Sequence, residues 1–270
     1  MSTLTNPLKQ KLAAGIPVFG TAVTAPSPHL MRTLVACGFD WLMIDLEHGP
    51  IGPESTQAMI NATLESSCTP LVRLAAGEKW MAKMALDSGA LGLFFPLIMD
   101  AGEANCAIRS ATYPPAGNRG FGPIHAGYRW QMSMTEYARD ADDAILKIIM
   151  IEHLDAVDRL EEILSVSGID LVFIAPYDLS QSLGLAGQFD HPRVKETLML
   201  AERAVQAAGI PLGGFAGSLE AGQEMLARGY TLLMFGYDSM LIENALTPVL
   251  QKLRNQTGPD AARLQEGSLR

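Results

Sequence analysis

Short, wholly apolar runs alternate along this chain with longer stretches whose apolar residues recur every three or four positions. The short runs end at Gly, Pro or charged residues and predict strands buried on both faces; the longer pattern predicts helices that cover them. Strands are expected at 16–23, 39–45, 71–74, 91–96, 144–151, 171–175, 210–215 and 231–235. Helices are expected at 30–37, 54–64, 79–88 and 101–111, and around 135–140. Two more follow where Leu154, Val157, Leu160 and Ile163, and then Val194, Leu198, Ala201 and Val205, share a helical face. Residues 1–14 predict a short helical lead-in with Leu8, Leu12 and Ala13 on one side. The Gly- and Pro-rich segment 112–131 predicts an irregular loop, of a length that often forms a functional lid.

Eight apolar strands alternating with helices predict a parallel α/β sheet, and the count favours a single (β/α)8 TIM barrel. No G-x-G-x-x-G follows the first strand, so a dinucleotide-binding fold loses its best support. No repeat or linker divides the chain. Residues 1–256 are expected to form one barrel domain and 257–270 a polar tail.

Composition narrows the function. Of 270 residues, 48% are hydrophobic and 18% charged, which suits a large buried core. The net charge of −9, with no run of Lys or Arg, argues against a nucleic-acid partner. Cys37, Cys68 and Cys106 lie far apart with no C-x-x-C, which argues against a structural zinc site or a disulfide framework. The N-terminus lacks the basic and apolar regions of a signal peptide, and no apolar run approaches the roughly 20 residues of a membrane span. A cytoplasmic protein without a membrane partner is expected.

In a barrel the chemistry sits at the C-terminal ends of the strands. There the chain carries Asp45, Glu47 and His48 after the second strand, Arg73 in the third and Glu152-His153 after the fifth. Pro176-Tyr177-Asp178 follows the sixth strand and Gly236-Tyr237-Asp238 the eighth. Glu152 and Asp178 are separated by one crossover, so adjacent strands would bring the two carboxylates together. Such a pair, with no thiolate or imidazole, suits a hard six-coordinate ion such as Mg²⁺ or Mn²⁺. The plainer reading makes Asp178 a helix cap and sets Glu152 against a helix dipole. Arg73 in an apolar strand needs an anion, either a structural carboxylate or a substrate, with the structural pair the commoner case. His48 is of the residue type most often used as a general base, although loop histidines are usually solvated. Asp87, late in a helix, most simply faces solvent. His125 and His153 have no evident partner, and Trp41 and Trp80 read as packing residues.

Several blocks occur in an order and spacing that resemble a known family over residues 19–250. They are Phe39-Asp40-Trp41-Leu42 through Asp45-x-Glu47-His48; Leu71-Val72-Arg73; and Leu86-Asp87-Ser88-Gly89-Ala90. Thr112-Tyr113-Pro114-Pro115 with Arg119-Gly120, Ile151-Glu152, and Gly168-Ile169-Asp170 through Phe173 to Ser180 complete them. The pattern resembles the metal-dependent pyruvate aldolases of the HpcH/HpaI (4-hydroxy-2-oxoheptanedioate aldolase) family. That resemblance implies a modified (β/α)8 barrel with a swapped C-terminal helix, assembled as a hexamer, a trimer of dimers, with shared active sites. It implies Glu152 and Asp178 as ligands of a divalent cation (Mg²⁺, Mn²⁺ or Co²⁺). It further implies His48 as catalytic base, Arg73 as transition-state stabiliser, and Asp87 of a neighbouring subunit as the carboxylate that raises the basicity of His48. Tyr177, through its backbone, and Asp178 match substrate-binding positions, with Arg73 beside them. Asp45 and Glu47 take supporting roles. Met150 departs from the pattern, because the family often has a substrate-contacting glutamine there.

The implied activity is that of a carbon–carbon lyase, a class II aldolase that cleaves or forms a 4-hydroxy-2-oxo acid. Pyruvate or a related 2-oxo acid would be the enolate donor and an aldehyde the acceptor. One alternative is an acyl-CoA lyase of the citrate lyase β or malyl-CoA lyase type, for which the acidic chain offers no clear basic patch. A decarboxylating, macrophomate-synthase-like reaction is a closer variant. A non-catalytic 2-oxo-acid-binding protein is the third, but binding alone needs neither His48 nor Asp87.

Overall fold

The computed structural model describes residues 3–256. The order begins α1 (Pro7–Ala13), β1 (Val18–Val23), α2 (Pro28–Ala36), β2 (Trp41–Asp45), α3 (Pro53–Asn61), β3 (Thr69–Arg73) and α4 (Lys79–Asp87). It continues with β4 (Gly92–Phe95), α5 (Ala101–Ser110), α6 (Ile124–Trp130), α7 (Met134–Ala144), β5 (Leu146–Ile151), α8 (Leu154–Asp158), α9 (Leu160–Leu164) and β6 (Leu171–Ile174). It ends with α10 (Pro176–Ser182), α11 (Pro192–Ala207), β7 (Leu212–Phe215), α12 (Leu219–Ala227), β8 (Leu232–Tyr237) and α13 (Asp238–Gln256). Each strand pairs in parallel with the next, and β8 closes on β1, so the sheet is the closed (β/α)8 barrel expected. The polar tail expected at 257–270 lies outside the described residues.

Side chains alternate between two cores because strand residues point to opposite faces in turn. One core lies between sheet and helices and includes Leu42, Ile44, Val72, Leu93 and Ile149. The other fills the barrel, with Trp41, Met43, Leu71, Phe94, Leu146, Ile148, Met150, Leu171 and Phe173. Continuing these inward series by two residues places Asp45, Arg73 and Glu152 at the barrel's C-terminal mouth.

The other mouth is closed. Leu8 and Leu12 of α1 belong to the interior core, and the Asn6 amide donates to the Leu91 and Ala144 carbonyls just before β4 and β5. Asn6 also caps α1 through its side-chain oxygen. Above this plug, Trp41 lies against Gly20 so closely that a Cβ there would run into the indole ring.

Three expectations need correction. Segment 112–131 is not wholly irregular, since Ile124–Trp130 is helical. Nor does it cover the mouth of its own barrel: α5 returns to the N-terminal ends of the strands, so everything between α5 and β5 lies at the plugged end. There Trp130 Nε1 donates to the Gly89 carbonyl at 3.2 Å and the Tyr137 hydroxyl to that of Leu86 at 3.3 Å. The helix expected from Leu154 onward is two short ones, interrupted where Arg159 leaves helical geometry at φ −110°. Finally, Trp80 is not a packing residue within the chain, being 62% exposed, whereas Trp41 is fully buried as expected.

Candidate active site

The abrupt end of β2 builds one wall of the site. Asp45 is fully buried and accepts from Arg73 through two bonds, Nε to Oδ1 at 2.9 Å and Nη2 to Oδ2 at 2.5 Å. The register that pairs Asp45 with Arg73 across β2 and β3 sets this contact. Asp45 Oδ1 also accepts from the backbone N–H groups of Glu47 and His48, at 3.1 and 3.3 Å, so it shapes the turn carrying both residues. Burial alone would lower the Arg73 pKa, but the bonds and charge of Asp45 outweigh it and raise it, so the guanidinium stays charged. Arg73 therefore has the structural partner its sequence context demanded. It also lines a cavity, so the pair is more than a packing device.

That cavity, of about 290 Å³, opens at the C-terminal mouth. His48, Arg73, Asp178 and Tyr237 give it polar walls, above an apolar floor that includes Met43, Phe94, Met150 and Phe173. His48 and Asp178 are exposed at the rim. No lysine lines the cavity among the described residues.

A carboxylate cluster flanks it. Glu152, 5% exposed, accepts from the Leu97 backbone N–H. Burial lifts its pKa to about 7; the Leu97 bond opposes the rise, while the negative charges of Glu47 and Asp178 add to it. Burial likewise raises the Glu47 pKa against the pull of Arg73, whose Nε lies 3.3 Å from Oε2. Glu47 Oε2 is buried without a hydrogen bond. The plainer reading of Asp178 fails, since Ala175 occupies the N-cap of α10 and no side chain caps that helix. Glu152 lies one residue before the N-cap of α8, which is His153, accepting from the Asp155 N–H. Among the described residues no three His, Cys, Asp or Glu side chains converge as a metal-holding group; Glu152 and Asp178 are related by the repulsion through which Asp178 adds to the rise at Glu152.

Asp87 is elsewhere. It ends α4 at the plugged end of the barrel and contributes nothing to the cavity of its own chain. It does not simply face solvent. Its carboxylate accepts from Arg119 Nη2 at 2.8 Å, and the fully buried Arg119 guanidinium lies over the rings of Tyr113 and Tyr137, at 4.5 and 5.4 Å. His125 is exposed on α6 at the same end. The Tyr177 ring packs edge-on against Phe189 and Phe215, at 4.8 and 5.6 Å, which fixes the backbone that carries Asp178.

The sequence placed Tyr237 at a strand end but gave it no role, and gave none to Phe215 as a lining residue or to Arg119 as the partner of Asp87. The inward alternation of Leu232 and Met234 would have pointed to Gly236, and a shift in the β1–β8 register brings Tyr237 in instead. Arg119 was out of reach, since its pairing crosses from the 112–123 segment to α4.

The HpcH/HpaI aldolase/citrate lyase family matches residues 20–245. The 2-keto-3-deoxy-L-rhamnonate aldolase of Escherichia coli is 33% identical over 95% of this chain and 96% of its own length. An HpcH/HpaI aldolase/citrate lyase family protein from Burkholderia cenocepacia J2315 superposes with a TM-score of 0.87 at 32% identity, over 93% of this chain and all of the other. The citrate synthase SbnG superposes at 0.84 with 26% identity, over 95% of this chain and 99% of its own. With a closed barrel whose acidic and basic side chains gather at the C-terminal mouth, the chain belongs to the HpcH/HpaI aldolase/citrate lyase family of carbon–carbon lyases.

Proposed function

We propose that residues 1–256 form a divalent-metal-dependent aldolase that makes or breaks the C3–C4 bond of a 4-hydroxy-2-oxo acid. Pyruvate or a related 2-oxo acid is the enolate donor and an aldehyde the acceptor. The observation that carries this reading is one cavity lined by His48, Asp178 and Arg73, the last locked on Asp45, with the buried Glu152 close enough to feel the charge of Asp178. The substrate in the name of the Escherichia coli relative, a 2-keto acid deoxygenated at C3, supports the substrate class.

Glu152 and Asp178 would hold the ion, with Glu47 alongside. The residues fit a cation: Glu152 is driven up in pKa by burial among other carboxylates, and Glu47 Oε2 has no hydrogen-bond donor. Carboxylate oxygens without sulfur or imidazole suit Mg²⁺, Mn²⁺ or Co²⁺. When bound, such an ion supplies Lewis acidity to the carboxylate and keto oxygens of the donor. Arg73 stabilises the negative charge that develops on the enolate oxygen, with no reorganisation because Asp45 already fixes it. The Tyr177 backbone and Asp178 position the donor, and His48 takes the proton of the C4 hydroxyl during cleavage. The reaction needs no Schiff base, which agrees with a cavity lined by no lysine among the described residues.

Asp87 acts on the His48 of a neighbouring subunit, which requires a homo-oligomer with shared sites, a hexamer built as a trimer of dimers. Ile242, Leu246, Val249, Leu250 and Leu253 of α13 are about half exposed and supply an apolar face for exchange of this helix between subunits. No helix among the described residues is long and apolar enough to cross a membrane. Three cysteines free of disulfides fit a reducing cytoplasm.

Chelation tests the reading. Protein treated with EDTA should lose aldol cleavage, and Mg²⁺, Mn²⁺ or Co²⁺ should restore it; full activity in thoroughly metal-free protein would rule the mechanism out. The likeness to a citrate synthase favours a second reading, condensation of an acyl thioester with a 2-oxo acid. Product formation from acetyl-CoA and oxaloacetate, with none from pyruvate and aldehydes, would select it.

A further inference from the structure

One polar group in the cavity has no role in the mechanism above. Tyr237 ends β8, opposite Ala22 of β1, where a shift in the β1–β8 register turns it into the barrel mouth. Its phenol group lies close enough to the Arg73 guanidinium to feel its charge, and both line the cavity with His48 and Asp178. A guanidinium has donors only, so toward Arg73 the phenol oxygen can only accept, which leaves its own hydrogen free for the cavity. Burial raises the phenol pKa despite Arg73, so the group keeps its proton at neutral pH. The other neutral side chains around the donor cannot serve: Met43, Phe94, Met150, Phe173 and Met234 carry no N–H or O–H. Tyr177 directs its ring into the Phe189 and Phe215 stack.

Building on the aldolase reading, we propose that Tyr237 is a catalytic residue whose hydroxyl donates a hydrogen bond to the C4 oxygen of the substrate, the oxygen contributed by the aldehyde. In the joining direction C3 of the enolate forms a bond to the aldehyde carbon, and the carbonyl π pair moves onto oxygen. Tyr237 meets the charge developing there, while protonated His48 delivers the proton that neutralises it. In cleavage the same proton returns to His48, the C3–C4 pair goes back to the enolate, and Tyr237 keeps its own hydrogen throughout. The assignment separates two tasks at the mouth. Arg73 serves the donor oxygen, and Tyr237, beside Arg73, serves the acceptor oxygen.

Two reactions of the same Mg²⁺-loaded protein distinguish these tasks. Exchange of pyruvate methyl protons in D₂O requires only enolate formation, whereas joining pyruvate to glycolaldehyde requires the acceptor oxygen as well. Tyr237→Phe keeps the ring and removes the hydroxyl. It should lower kcat for joining about 100-fold or more, in the range of a lost oxyanion donor, and leave methyl exchange within about twofold. Equal loss in both reactions would overturn the assignment, because Tyr237 would then act only by propping Arg73. Retention of both would overturn it as well. Wild-type protein that catalyses neither reaction would overturn the aldolase reading itself, and the role of Tyr237 with it.

Discussion

At the scale of single residues, the site rests on charges placed where water is scarce. Glu152 shows the cost. Its pKa is raised from 4.5 to about 7 by burial, so between those values the folded protein holds a proton that the unfolded chain has released. The sign follows from linkage: in metal-free protein this group leaves stability at its fullest below about pH 4.5 and erodes it as pH rises through 7. Glu152→Gln should remove that erosion. Denaturant unfolding in EDTA at pH 5 to 8 should show the variant gaining on the wild type by a few kcal/mol toward the alkaline end. A constant gap across the range would mean that Glu152 does not titrate there. Arg73 was legible as a residue in need of an anion, because a guanidinium in an apolar strand cannot be left alone. Its partner was not, since Asp45 is specified by the β2–β3 register rather than by spacing along the chain. Asp45 and Glu47 looked like sequence neighbours of His48 with minor parts. The structure gives Asp45 four accepted bonds and leaves Glu47 facing the carboxylate pair.

At the scale of elements, all eight strands could be read from apolar runs, because a parallel strand covered on both faces has no polar side to disguise it. Their order around the barrel then followed. Helices were harder where composition argued otherwise. Gly122, Pro123 and Gly127 hide the seven-residue helix α6, and its place at the plugged end is a property of connectivity, which local pattern does not carry. The lead-in helix was visible in Leu8 and Leu12, but its task as a plug was not. That task is measurable. Leu8, 1% exposed, packs into the interior core, and Leu8→Ala should cost about 2–5 kcal/mol in denaturant unfolding. A loss well below 1 kcal/mol would show that α1 only rests on the barrel.

At the scale of the whole molecule, Asp87 and His48 lie at opposite ends of one barrel, so a single chain cannot join them. The pairing of Asp87 with Arg119 over two tyrosine rings holds that carboxylate at the surface in a fixed pose. Mixing inactive His48→Ala and Asp87→Ala proteins under conditions that exchange subunits should regain part of the wild-type rate, because some sites then draw both groups from intact copies. Mixed assemblies without any recovery would place Asp87 outside the chemistry. The plug adds a consequence of its own. With α1 and Trp41 closing one end, the barrel is a blind well. Whatever sits deepest arrives first and departs last. On the proposed reading, a 2-oxo acid held by Arg73 and the carboxylate pair would be overlaid by its aldehyde, so traffic through the site would be ordered: the aldehyde would escape before the 2-oxo acid beneath it, and an acceptor lingering at the rim would imprison the donor.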